Sequence, residues 1–278
     1  MRITEAKMEI RESYPRPFVK WAGGKTQLLS RLITKVPSNF SCYYEPFLGG
    51  GALFFSILPE RAVLADKNWE LINAYIIIRD HVEELIESLK KHKNEKEYFY
   101  YIRSLDPNNL SPVERASRFI YLNKTCYNGL WRVNSKGKFN VPFGRYKNPK
   151  ICDEPNLRTI SEVLKDKTIL CADFEEAVAK AKRGDFIYFD PPYFPLNPTA
   201  SFTKYTKEDF NIDDQKRLAA VFEELDKRGC FVLLSNSDTD TIRTLYKGYN
   251  IQRVEANRFI NCKGSRRKGV YELIISNY

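Results

Sequence analysis

The chain has 278 residues, 43% of them hydrophobic and 29% charged, with 45 Lys and Arg against 35 Asp and Glu for a net charge of +10. That length and apolar share can bury a sizeable core, as one large domain or as a domain carrying an insertion, and they exclude a disordered or fibrous chain. The positive balance points to a polyanionic partner or, more plainly, to solubility.

Met1 to Pro17 alternates charges where a secretory segment would be apolar, and no run of about 18 apolar residues is present to span a bilayer. The cysteines are scattered with no Cys-x-x-Cys pair, and His81 and His92 are the only histidines. Structural zinc is therefore disfavoured, no metal is expected, and a reducing, cytoplasmic setting fits.

The segment Phe18-Val19-Lys20-Trp21-Ala22-Gly23-Gly24-Lys25 precedes a helix expected over Thr26 to Lys35. Lys25 suits a carboxylate partner and Trp21 suits an aliphatic or sulfonium chain, although a helix N-terminus with a buried Trp fits equally. A first strand, Cys42 to Glu45, runs through Pro46, Phe47 and Leu48 into Gly49-Gly50-Gly51 and the opening of a helix. Three glycines bare the backbone where a nucleoside or phosphate would approach. The next strand, Arg61 to Asp66, ends fifteen residues beyond Gly51 in a carboxylate of the kind that holds ribose hydroxyls. Gly-x-Gly-x-x-Gly is absent, and Gly24-Lys25-Thr26 has Val19 where a P-loop needs its earlier glycine, which disfavours a dinucleotide or a nucleoside triphosphate.

From Asp66 to Thr168 lie about a hundred residues of helical and loop character, with helices expected over His81 to Lys91 and Pro112 to Asn123. That is too long for a simple crossover, so an inserted domain, 69–154, is expected between 1–68 and 155–278. Between Arg115 and Cys152 there is no acidic residue, while Arg115, Arg118, Lys124, Arg132, Lys136, Lys138, Arg145, Lys147 and Lys150 are positive. Interleaved with Tyr127, Asn128, Trp131, Asn134 and Tyr146, these cations offer both phosphate and base-edge chemistry, where a bare charge run would read as a solvated face.

Strands follow over Thr168 to Asp173 and Asp185 to Asp190, the second ending in Asp190-Pro191-Pro192-Tyr193. In an open α/β sheet ligands collect outside the carboxyl ends of strands. With φ locked at both prolines, the Asp190 carboxylate and the Pro191 carbonyl form a pair of acceptors for one NH2 group, and Tyr193 offers a stacking face to a flipped base. The plainer alternative is a surface turn. Helices over Asp213 to Lys227 and Thr239 to Lys247, with strands over Cys230 to Ser235, Asn250 to Glu255 and Tyr271 to Ser276, complete a seven-stranded, doubly wound, mostly parallel α/β sheet. The loops Phe194 to Phe210 and Arg258 to Gly269, the latter with Lys263, Arg266, Arg267 and Lys268, read as DNA-facing or as exposed connectors.

Lys-Trp-Ala-Gly-Gly-Lys at 20–25, Glu-Pro-Phe-Leu-Gly-Gly-Gly at 45–51 and Asp-Pro-Pro-Tyr at 190–193 appear in the order found in the Dam-like, D12 class of DNA adenine-N6 methyltransferases, which the chain resembles over nearly its whole length. The order resembles the α arrangement of amino methyltransferases. The resemblance implies S-adenosylmethionine as methyl donor, contacted at Trp21, Lys25, Phe47, Gly49, Gly50, Gly51 and Asp66, with Glu45, Asp173, Phe174 and Asp190 as further contacts. It implies double-stranded DNA as substrate, and a restriction endonuclease acting in the same system as a partner that need not touch the enzyme. Tyr127, Asn128, Leu130, Arg132 and Pro142 resemble the residues of enzymes that methylate adenine within GATC, with Lys20 a second base reader and Lys124, Asn134, Asn140 and Arg145 completing the expected DNA contacts. Arg132 is the residue expected to pair with a guanine. Trp131 departs from the smaller residue of some relatives, leaving flanking-sequence preference open. An N4-cytosine or RNA amino methyltransferase is the alternative enzyme; Asp190 disfavours it, because relatives of those kinds more often carry Ser or Asn there. A catalytically silent DNA-binding module is the alternative of another class.

Overall fold

The computed structural model describes residues 14–21, 28–194, 210–256 and 270–278. Lys25 and the loop cations Lys263, Arg266, Arg267 and Lys268 lie outside the described residues, as does nearly all of the loop between Phe194 and Phe210. All seven expected strands form: β1 (Tyr43–Glu45), β2 (Ala62–Asp66), β3 (Thr168–Cys171), β4 (Phe186–Phe189), β5 (Phe231–Ser237), β6 (Asn250–Ala256) and β7 (Val270–Ser276). They make one sheet in the order β3-β2-β1-β4-β5-β7-β6, parallel except where β7 runs antiparallel to β5 and β6.

Side chains alternate across a strand, and the two faces carry separate apolar cores. Tyr43, Phe186, Tyr188 and Leu233 face one; Tyr44, Ile187, Phe189, Val232 and Leu234 face the other. The first face is covered by α1 (Leu29–Ile33), α2 (Ala52–Ile57), α3 (Trp69–Asp80), α4 (Val82–Lys90), α5 (Lys96–Ser104), α6 (Pro112–Thr125) and α7 (Glu154–Leu164). The second is covered by α8 (Phe174–Ala177), α9 (Ile212–Lys227) and α10 (Asp240–Leu245). Among the described residues no helix is long and apolar enough to cross a membrane.

Three of the helices on the first face carry no sequence-based expectation. α3 is apolar nearly all round, with Leu71, Ile72, Ala74, Tyr75, Ile77 and Ile78 all buried, so it presents no polar stripe to reveal its period. Its start is nonetheless marked, since Asn68 Oδ1 accepts from the N–H groups of Glu70 and Leu71 at 3.1 and 3.3 Å. α7 opens with Pro155 in its first turn, where a missing N–H costs nothing. α5 is short, with Phe99 and Ile102 its buried positions.

The expected domain edges at Trp69 and Pro155 therefore fall on helix starts. α3 packs on β2, β3, α6 and α7, and one buried cluster runs from Tyr43 and Leu64 through Ile72 to Phe119 and Trp131. The division between 1–68 with 155–278 and 69–154 cuts through that shared core. Phe119, fully buried, has its ring centroid 4.4 Å from that of Trp131 and 6.2 Å from that of Trp21. Phe119→Ala is expected to lower stability by about 3–5 kcal/mol, and urea unfolding followed by fluorescence and far-UV circular dichroism should keep coincident transitions. An early fluorescence transition that leaves the sheet signal intact would contradict a shared core.

Candidate active site and nucleic-acid interface

Strand order reverses between the parallel neighbours β1 and β4: from β1 the sheet grows through β2 to β3 on one side, and from β4 through β5 on the other. Such a switch point leaves a crevice at the carboxyl ends of the two strands. Glu45 ends β1 there, and Asp190 follows β4.

Beyond Glu45 the glycine turn is fixed from three directions. Gly51 donates to the Leu48 carbonyl at 2.7 Å, Leu48 to the Ala65 carbonyl at 2.9 Å, and Gly49 to Asp66 Oδ2 at 3.0 Å. Gly49 holds φ +48°, and a Cβ on it would stand 2.6 Å from Trp21 Cδ1, so both the conformation and the close approach of the indole demand glycine. Asp66 Oδ1 also accepts from the Asn68 N–H at 2.9 Å. Burial pushes the Asp66 carboxyl up to about 6, against the pull of these two donors. The structure thus gives Asp66 a role the sequence does not display, clasping the turn of β1 to the end of β2.

The Asp-Pro-Pro-Tyr turn rests on buried polar side chains. Ser235 Oγ donates to Asp190 Oδ1 at 2.8 Å and lies 3.0 Å from the Tyr188 hydroxyl. Gln215 Nε2 donates to the Pro192 carbonyl at 3.1 Å, and Gln215 Oε1 accepts from Asn236 Nδ2 at 3.0 Å. Asn236 Oδ1 accepts from the Phe194 N–H, and Ser237 Oγ donates to the Phe194 carbonyl at 2.7 Å. Tyr193, half-buried, donates its hydroxyl to Glu272 Oε2 at 2.7 Å, which fixes the ring from its far end. None of Gln215, Ser235, Asn236, Ser237 or Glu272 was expected at the site. The polar run Ser235-Asn236-Ser237 closing an apolar strand is the signal in the sequence that would have found three of them.

Other expected ligand contacts sit beneath the crevice. Glu45 is 3% exposed and accepts the Tyr43 hydroxyl at 2.8 Å on Oε2. Burial raises its carboxyl to about 8, the Tyr43 bond opposing and the charge of Asp190 adding to the rise. The ring of Phe174 is core, 1% exposed, stacked on Phe47 at 5.5 Å and covered by the Arg217 guanidinium at 4.4 Å. Asp173 caps α8 and meets Arg217 Nη1 and Nη2 at 2.9 and 3.0 Å and Lys67 Nζ at 3.2 Å. Burial works to raise the Asp173 carboxyl, but these partners outweigh it and hold it below the ordinary carboxylate range.

The segment after α6 forms a second surface. Asn123, buried near the end of α6, accepts from the Lys20 N–H and donates to the Lys20 carbonyl, both at 2.8 Å, and also donates to the Gly129 carbonyl at 3.0 Å. Gly129 has φ +63°, and a Cβ there would stand 2.5 Å from the Lys20 side chain. The Lys20 ammonium then lies 4.3 Å from the Tyr146 ring centroid. Tyr127 donates its N–H to the Pro142 carbonyl at 2.8 Å, and Arg132 Nε donates to Asn140 Oδ1 at 2.8 Å. Lys20, Tyr127, Asn128, Leu130, Arg132, Asn140 and Pro142 are therefore tied into one unit, from which Tyr127 projects 52% exposed and Asn128 holds a left-handed φ of 55°.

Several residues of this stretch also hold the fold. Asn134 Oδ1 accepts from the Lys136 and Lys138 N–H groups at 3.0 Å each and shapes a turn. Trp131 is 4% exposed and packs between Phe119 and Phe139, so it is no base-facing aromatic. Arg115 pairs with Glu70, and buried Arg118 donates to the carbonyls of Ile102 and Arg103. Lys150 pairs with Asp153, while Lys124 is half-buried and its ammonium pKa is lowered by burial. The positive surface is carried by exposed Arg132, Lys136, Lys138, Arg145 and Lys147.

A family profile described as D12 class N6 adenine-specific DNA methyltransferase matches residues 21–260. The chain is 49% identical to the Type II methyltransferase M.MjaIII of Methanocaldococcus jannaschii, over 95% of this chain and 99% of that one. It is 49% identical to the Type II methyltransferase M1.LlaDCHI of Lactococcus lactis subsp. cremoris, over 95% of each chain. Identity to the DNA adenine methylase of Vibrio cholerae is 40%, over 93% of this chain and 95% of that one.

Glu45 gives a pH test of the site's foundation. Its carboxyl titrates at about 8 when folded against an ordinary 4.5, so the folded protein binds this proton more tightly than the unfolded chain. The stability it contributes is whole below about pH 4.5 and is lost as pH rises through about 8. Glu45→Gln cannot ionise, so its melting temperature should fall less than that of the parent across this window. Parallel curves for the two proteins would show that Glu45 is not held protonated.

Proposed function

The chain belongs to the D12 class N6 adenine-specific DNA methyltransferases, and from that premise we propose that it transfers a methyl group from S-adenosylmethionine to adenine N6 within GATC in double-stranded DNA, after turning the base out of the duplex. The observation that carries this reading is the meeting, at one switch point, of a bare glycine turn clasped by Asp66 and an Asp-Pro-Pro-Tyr turn anchored by Ser235 and Gln215.

The residues present fit an adenosyl sulfonium ligand. No side chain stands on the main chain from Gly49 to Gly51, a carboxylate ends β2 at Asp66 and another follows β3 at Asp173, the Trp21 ring lies against Gly49, and the Phe47 ring stacks on Phe174. Trp21, Phe47, Gly49 to Gly51, Asp66 and Asp173 would hold it, with Lys25 the partner of its carboxylate, while Glu45 and Phe174 support the site from below. S-adenosylmethionine supplies an electrophilic methyl group when bound.

The remaining chemistry falls to the protein. The lone pair of an aryl amine is delocalised into its ring, and an NH2 group held at both hydrogens by directed acceptors is drawn toward tetrahedral geometry. Asp190 and the Pro191 carbonyl are those acceptors, and Pro192, tied to Gln215, keeps the turn in place. Tyr193 stacks on the extruded base. Extrusion costs a few kcal/mol, which stacking and pocket contacts offset.

For the recognition sequence, the unit built around Asn123 presents Lys20, Tyr127, Asn128, Leu130, Arg132 and Pro142 together. A bidentate Arg–guanine pair discriminates by about 1–3 kcal/mol, and we assign that role to Arg132, whose Nε donates to Asn140. Residues 69–154 act as the target-recognition unit, with Lys124, Asn134 and Arg145 as backbone contacts. We place the enzyme in the cytoplasm, in a system with a restriction endonuclease that acts on the same sequence and need not touch it.

Asp190→Ala is expected to cut methyl transfer by roughly 10³-fold or more, while equilibrium dialysis finds donor affinity little changed. Turnover preserved in that variant would remove Asp190 from the chemistry.

A further inference from the structure

We propose that Ser235 is a positioning residue for the reaction, a strand-borne hydroxyl that sets the orientation of the Asp190 carboxylate and is itself oriented by Tyr188. The inference rests on the reading of Asp190 as an acceptor for the substrate amine.

The register of β4 on β5 pairs Phe189 with Leu234, which brings Ser235 level with Asp190. On its other side Ser235 pairs with Ile274 of β7, so its backbone is held by strands on both flanks. Asp190 follows β4 at the start of a turn, and the Ser235 hydroxyl reaches its carboxylate from the neighbouring strand.

Hydrogen bookkeeping gives the relay a direction. Ser235 has one hydroxyl hydrogen, and Asp190 Oδ1, 2.8 Å away, can only accept when ionised. That hydrogen goes to Asp190, so the Tyr188 hydroxyl, 3.0 Å from Ser235 Oγ, must donate to it. Tyr188 and Ser235 are both buried. Fixing Oδ1 fixes the plane of the carboxylate, and with it the direction from which Oδ2 meets a substrate amine. Small errors in that direction are costly, since misplacement of about 1 Å at a reacting centre lowers rates on the order of 10²-fold.

The test uses the full-length enzyme and four forms: wild type, Ser235→Ala, Tyr188→Phe with Ser235→Ala, and Asp190→Ala. Single-turnover methyl transfer, donor dissociation constant and melting temperature are measured for each. Ser235→Ala should lower the methyl-transfer rate by roughly 10- to 100-fold with donor affinity nearly unchanged, and should lose stability because the Tyr188 hydroxyl is left buried without its partner. Adding Tyr188→Phe removes that hydroxyl, so melting temperature should recover while the rate stays low. A rate that recovers together with melting temperature would make Ser235 merely structural and overturn the proposal, as would a wild-type rate in either Ser235 variant. If Ser235→Ala alone fails to fold, the double variant carries the same comparison. An inactive Asp190→Ala beside fully active Ser235 variants overturns this inference only; an active Asp190→Ala overturns the reading beneath it.

Discussion

No crossover covers the adjacent carboxyl ends of β1 and β4, because the chain leaves one toward β2 and the other toward β5, and every group argued to act on substrate hangs from that gap. The parallel pairing of Tyr43 with Phe186 and Tyr44 with Ile187 sets the distance between the glycine turn and the Asp-Pro-Pro-Tyr turn. The two turns are thus registered against each other by backbone hydrogen bonds, and loops need only complete them.

Crevices of this kind place polar groups next to an apolar core, and the structure answers with reciprocal hydrogen bonds. Asp66 holds two main-chain N–H groups, Gln215 and Asn236 hold each other and the turn, and Glu45 lies neutral against Tyr43. Each bond removes a cost of about 1–3 kcal/mol that an unpartnered buried group would carry. The same bonds remove freedom from the turns they touch, so stability of the sheet ends and order in the site arise together. Asn123 does the corresponding work in the segment after α6, binding Lys20 and Gly129 in one grip.

Much of this was legible in the sequence. The seven strands are short apolar runs ended by polar or glycine residues, and the two motifs of the crevice are local, so both survive without knowledge of the fold. What failed did so for definite reasons. α3 buries nearly its whole circumference and shows no period, and α7 carries Pro155 in its first turn, where the sequence alone shows a helix breaker. Charge counting grouped Arg115 and Arg118 with the phosphate-binding cations and composition grouped Trp131 with them, but Arg118 and Trp131 are buried and Arg115 is paired with Glu70. Ser235, Gln215 and Glu272 lie 45, 23 and 79 residues from the groups they hold, joined by a register that one sequence does not display.

The most direct test of the central claim is methyl transfer from labelled S-adenosylmethionine to two duplexes that differ only in the adenine of a single GATC, present in one and replaced in the other. Label is expected in the first duplex alone, recovered as N6-methyladenine. Label in neither duplex, with DNA still bound, would contradict the account of the crevice as a methyl-transfer site, and equal label in both would contradict the account of the surface around Arg132.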